Sequence, residues 1–156
     1  MALAVLPFLL AGCDRKPATQ PAAPAAAAAA PAAAAAPKVA GAGRTVGFEL
    51  VASVPVGALQ YDVNYVGEGR FVGDADAVAC ETKLDGALSS YNHITDQKTL
   101  RAAFVSVKGF AGPIRVSECQ FQGTAKVEDF TVTVRDSSSP DLAPLDPPPT
   151  VKVVLD

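Results

Sequence analysis

The chain has 156 residues, 49% of them hydrophobic, with a formal net charge of −3 and a mean hydropathy of +0.24. That length suits about one domain, the charge gives no support to nucleic-acid binding, and outside an Ala/Pro tract there is no run of about 18 apolar residues that would make a lasting transmembrane helix. The hydrophobic excess is local: 19 of the 30 alanines lie in residues 1–44, whereas residues 45–156 have an ordinary globular composition rich in valine.

Residues 2–10, ALAVLPFLL, form an apolar run too short to span a bilayer and of the length of a signal-peptide core. Leu10-Ala11-Gly12-Cys13 follows directly. These four residues resemble the lipobox of bacterial lipoproteins, in which an apolar residue and two small ones precede the cysteine that is lipidated. The resemblance implies that residues 1–12 are a removed signal peptide and that the Cys13 thiol carries a diacylglycerol. Acylation of the freed amine would add a further chain, and stable anchoring takes two or more. Only Met1 precedes Ala2, where a signal peptide normally has Lys or Arg, as expected if the true start codon lies upstream. Asp14 resembles the inner-membrane retention signal of enteric lipoproteins. That rule varies between bacteria, so the expected location is the cell envelope, on the inner or the outer membrane, with the domain in the periplasm or at the cell surface.

Residues 13–44 are expected to be a tether. Residues 18–36 hold 14 alanines, and prolines stand at 17, 21, 24, 31 and 37. Alanine is the best helix former, but the longest run is Ala25 to Ala30 and proline closes each run. Isolated helices need roughly 12–15 residues to be even marginal. A disordered, partly polyproline-II segment is the expectation, with a reach on the order of 90 Å at about 3.1 Å per residue. Charge divides at the same place, +3 over residues 13–44 and −6 over residues 45–156. Basic residues beside a lipid anchor favour anionic headgroups, and the acidic remainder is repelled by them.

From residue 46 the pattern has period two, and residues 45–156 read as an all-β domain. Val46, Phe48, Leu50, Ala52 and Val54 share one face; Leu59, Tyr61, Val63 and Tyr65 alternate with Gln60, Asp62 and Asn64. Gly67 and Gly69 mark a turn before short strands near 70–73 and 76–81. Residues 84–91 fit either one helical turn or another strand. Strands are expected at 99–107, 114–121, 129–136 and 150–155. Three consecutive prolines at 147–149 cannot enter a sheet interior, so the segment before the last strand is an extended surface connection. About eight strands with no convincing 3.6-residue period suggest an antiparallel two-sheet sandwich.

If Cys13 carries lipid, Cys80 and Cys119 remain. Export places them in an oxidising space, where pairing is expected. A metal site or a reactive thiol is the alternative, but two cysteines and one distant histidine do not supply four ligands. His93, the single histidine, falls in the polar stretch SSYNHITDQ and is expected to be a solvated loop residue. No G-x-S-x-G, H-E-x-x-H or Gly-rich phosphate loop occurs, so no catalytic residue is assigned. Asp74 and Asp76 have the one-apart spacing of calcium loops, with Asp62 and Glu68 near in sequence. Calcium takes six to eight oxygens, and a solvated acidic turn is the other reading; no further cofactor is implied. Glycan binding needs exposed aromatic rings. There is no tryptophan, Tyr61 and Tyr65 fall on the apolar face, and Tyr91 beside Asn92 is the best exposed candidate.

Several stretches of residues 46–135 resemble the cohesin and cohesin-like modules of secreted bacterial proteins. They are the opening FELVAS, then VGALQYDVNYVGEGRFVG, then NHITDQKTLRAAFVSVKGFAGP, then VSECQFQ with its buried-type Phe. The chain has Tyr65-Val66 where the cohesin strand ends in a Tyr-Asp-like pair, and the cysteine pair is not a general cohesin feature. The resemblance implies a nine-stranded jelly-roll sandwich related to carbohydrate-binding modules, and cohesins bind dockerins through one sheet face. The expected function is therefore a non-catalytic module that binds a dockerin-like or other envelope protein. A carbohydrate-binding module acting on polysaccharide, or a structural envelope lipoprotein with no small ligand, are the alternatives.

Overall fold

The computed structural model describes residues 43–156; the apolar leader, Cys13 and the tether up to residue 42 lie outside the described residues. Nine strands form: β1 (Gly43–Val51), β2 (Val56–Tyr65), β3 (Gly69–Phe71), β4 (Cys80–Thr82), β5 (Leu88–Ile94), β6 (Thr99–Phe110), β7 (Ile114–Gly123), β8 (Phe130–Ser138) and β9 (Thr150–Leu155). They make two antiparallel sheets. One runs β3-β7-β1-β9, with β4 also paired to β7, and the other runs β5-β6-β2-β8. The chain crosses from one sheet to the other at every connection except β3–β4 and β5–β6. This is the all-β, two-sheet antiparallel sandwich that the period-two pattern predicts.

The alternation places the core. Val46, Phe48 and Leu50 of β1 face Leu59, Tyr61, Val63 and Tyr65 of β2 across the sandwich, with Leu100, Ala102 and Phe104 of β6 and Phe121 of β7 closing it, all buried. Burying one such side chain stabilises the fold by roughly 1.5–3 kcal/mol. At one end Tyr65, Phe71, Phe121 and Phe130 meet mostly edge to face, the Phe71–Phe121 centroids being 5.2 Å apart. Such a geometry sets the positive ring edge against the negative face.

Cys80 and Cys119 form a disulfide between directly opposed positions of β4 and β7, with Cα atoms 4.0 Å apart. It fixes a strand of three residues that could contribute little pairing alone.

Four local expectations differ from the structure. Residues 88–94 are a strand, the second of the two readings of 84–91, and the polar stretch around His93, expected to be a loop, belongs to the sheet. The strand expected at 76–81 shrinks to Cys80–Thr82, because Ala77 N–H donates to the Asp74 carbonyl and closes a turn. Gly73 (φ 89°) and Ala75 (φ 49°) carry the left-handed backbone of that turn. The strand expected at 70–73 is Gly69–Phe71. Gly43 and Arg44, grouped with the tether by composition, start β1, where Arg44 lies opposite Phe121 and its Nη1 donates to the Ala125 carbonyl at 3.3 Å.

Candidate interaction face

The outer face of the β7-β1-β9 sheet carries a network of mutually paired charges around Arg115 and Glu118. Arg115 Nη1 donates to Asp156 Oδ2 at 2.7 Å and to Glu118 Oε1 at 3.3 Å. Lys83 Nζ reaches Glu118 Oε2 at 2.9 Å and Glu81 Oε2 at 3.0 Å. The Arg115 guanidinium lies across Gly47, where any Cβ would overlap it, so glycine is what lets the side chain lie flat on the sheet. The hydrogen bond from Arg115 holds the Asp156 carboxyl below the usual carboxylate range, and hydrogen bonds to Glu118 and Glu81 hold the Lys83 ammonium above its ordinary value.

The outer face of β5-β6-β2-β8 is built differently. Asp62 points away from the core on a central strand, between inward-facing Tyr61 and Val63, yet is only 2% exposed. Its burial comes from the two flanking strands: Arg101 of β6 donates from Nε to Oδ1 at 3.0 Å, and Arg135 of β8 donates from Nε to Oδ2 at 2.9 Å. The arginine side chains are themselves 45% and 57% exposed. A guanidinium carries five donors, so donors beyond Nε face outward on both sides of the roofed carboxylate. Two cations and one anion leave the cluster with a formal charge of +1.

Further along the same face the surface turns apolar. Leu88 of β5 lies opposite Val105 of β6, and Leu88, Val105 and Val107 are 79%, 51% and 89% exposed. Between this row and the arginine cluster Ala58, Gln60, Ala103, Val105 and Asp136 line a shallow depression.

The residues singled out in the sequence fall in several places. Tyr91 is not an exposed platform: its ring turns inward against Phe104, centroids 5.7 Å apart, and its hydroxyl is buried without a hydrogen-bond partner. Burial raises its pKa. Asn92 is exposed on the opposite face of β5, so the strand period separates the pair that sequence adjacency had joined. His93 is 1% exposed, not solvated. Its Nδ1 donates to the Gly73 carbonyl at 2.9 Å, and in the neutral ring its Nε2 accepts from the Tyr65 hydroxyl at 2.9 Å. It is a structural tie between β5, β2 and the Gly73 turn. Burial raises the Tyr65 hydroxyl above its ordinary value.

Asp74 and Asp76 are exposed, and Asp74 Oδ1 accepts from Thr95 Oγ1 at 2.6 Å, the main cause of its lowered pKa. Asp62, near them in sequence, is committed to its arginines. Among the described residues no group of three or more His, Cys, Asp or Glu is placed to hold a metal ion. Cys13 lies outside the described residues. No helix among the described residues is long and apolar enough to cross a membrane.

The Arg101–Asp62–Arg135 cluster was not anticipated. Each residue sits at an outward position of its strand, but only sheet register brings β6 and β8 to either side of β2. No family model matches this chain, and neither a curated protein nor a solved structure matches it.

Proposed function

We propose that the chain is a non-catalytic lipoprotein of the bacterial cell envelope, anchored through lipid on Cys13, whose cohesin-like sandwich binds a protein partner through the outer face of β5-β6-β2-β8. The exposed row Leu88, Val105 and Val107 carries this reading, because it leaves aliphatic surface in water on an open sheet face beside a charged cluster. The opposite face has no such row, and Arg115, Glu118, Asp156 and Lys83 there are closed on one another. Nine strands in two antiparallel sheets agree in number with the jelly roll that the resemblance implies. A protein partner is favoured over polysaccharide because the large apolar residues exposed among the described ones are Val and Leu, with no aromatic ring to stack on a sugar.

Immobilised chain exposed to envelope extract tests the reading. The expected result is retention of one protein that a Leu88→Asp/Val107→Asp chain, folded by circular dichroism, no longer retains. Retention unaffected by those substitutions, or binding to a glycan array in place of a protein, overturns it. Mass spectrometry of the N-terminal peptide from membranes tests the anchor: acyl chains on Cys13 are expected, and an unmodified thiol refutes it.

A further inference from the structure

We infer that the Arg101–Asp62–Arg135 cluster is a carboxylate-reading centre, so that the partner on this face presents a single Asp or Glu flanked by apolar side chains. The inference rests on the proposed docking face and specifies what would dock there.

Asp62 is held almost free of water between two arginines that stay half exposed. Its two oxygens each take one Nε–H, which fixes the plane of both guanidinium groups without engaging their outward donors. A planar guanidinium matches a carboxylate through parallel N–H···O bonds, a geometry that an ammonium cannot reproduce. Ordering two long side chains is a large part of the cost of such a contact; here a buried anion has ordered them before any partner arrives. Asn64 and Thr133 flank the cluster at outward positions, and neither adds charge.

The charge balance selects the kind of anion. The cluster is formally +1 on a domain of net −6, and Asp136, next to Arg135 in β8 and opposite Gln60, lines the shallow depression beside it and offsets that charge towards β8. A polyanion would be repelled by most of the surface, whereas one isolated carboxylate gains the local attraction with little of the repulsion. The adjoining Leu88, Val105 and Val107 row accounts for the apolar flanks of the same segment. An acidic residue among aliphatic ones, carried on a protein partner, satisfies both ends of the face.

The test is a nuclear magnetic resonance titration of the full chain, produced without lipidation, using two synthetic peptides. One is acetyl-Leu-Asp-Val-Leu-amide, and the other carries Asn in place of Asp. The acidic peptide is expected to shift the Arg101 and Arg135 Nε–H signals together with the Val105 and Val107 amides. The Asn peptide is expected to bind about tenfold more weakly, the scale of a charge-assisted hydrogen bond. Arg135→Lys keeps a cation for Asp62 but removes the fork, and should weaken only the acidic peptide; equal weakening of both peptides would mark a merely structural role and overturn the inference. Equal shifts from the two peptides at Val105 and Val107 also overturn it while leaving the docking face in place, and absence of any shift on this face overturns it outright. Retention of the envelope partner by the Leu88→Asp/Val107→Asp chain overturns the docking face itself.

Discussion

The two outer faces of the sandwich use the same chemistry with opposite results. On the β7-β1-β9 sheet Arg115 meets an acid on either side, and Glu118 is shared with Lys83, so both of these cations have an anion within reach. On the β5-β6-β2-β8 sheet two arginines share one acid, with Asp136 next to Arg135 making no ion pair among the described residues, and the row beyond is aliphatic. What differs is the register at which charges fall on neighbouring strands. One register closes a surface on itself; the other leaves donors and methyl groups facing water. A face of the second kind keeps binding capacity that the first has already used internally.

The comparison predicts a graded set of responses. The largest belongs to the covalent tie of the first sheet. Cys80→Ser/Cys119→Ser removes a cross-link spanning 39 residues and should lower unfolding free energy by about 3–4 kcal/mol, measured by urea denaturation. No comparable loss would mean that pairing of β4 with β7 is held by its neighbours alone. Asp62→Ala should cost less, about 1–3 kcal/mol, because the carboxylate is buried but its partners are partly solvated. The same urea series checks it, and an effect near zero would show that the arginines hold their positions without it.

Arg115→Ala on the first face should have a still smaller effect that shrinks in high salt. It also carries a pH signature. Arg115 lowers the Asp156 pKa from its ordinary 3.8, so this contribution is present above that unfolded value and disappears as pH falls through the lower folded one. Denaturation at pH 7 and at pH 2–3 should therefore bring the wild-type and Arg115→Ala curves together in acid. Val107→Ser should be the mildest, within about 0.5 kcal/mol of wild type, as for surface positions generally. Its effect should appear in partner retention instead, and a clear drop in melting temperature would place Val107 in the packing rather than on the interface.

Strands with an apolar side were legible in the sequence. The alternation of Leu59, Tyr61, Val63 and Tyr65 defines β2, and Val151 and Val153 lie on the inner side of β9. β5 was ambiguous because its inward positions are Ser89, Tyr91 and His93, so an edge strand presents no alternation of apolar residues. His93 looked solvated because its partners, Tyr65 and Gly73, are 28 and 20 residues away. Pairing of Cys80 with Cys119 was legible from elimination, since few other partners existed. The arginine cluster was not, because Arg101 and Arg135 lie 39 and 73 residues from Asp62 and mark no local pattern. Residue-level chemistry that depends on strand order stays hidden until the order is known.

The position of β1 has a kinetic consequence. The first strand does not sit at an edge but between β7 and β9, with Val46 opposite both Cys119 and Leu155. During synthesis from the N-terminal end, Val46, Phe48 and Leu50 must wait for partners 64 to 73 residues ahead in β7 and 101 to 109 residues ahead in β9. Closing such long loops before any pairing rewards them is slow, and folding of sandwiches of this kind typically takes milliseconds to seconds. Pairing on the second side of β1 therefore depends on the six residues of β9, Thr150–Leu155, the most distant of its partners in sequence.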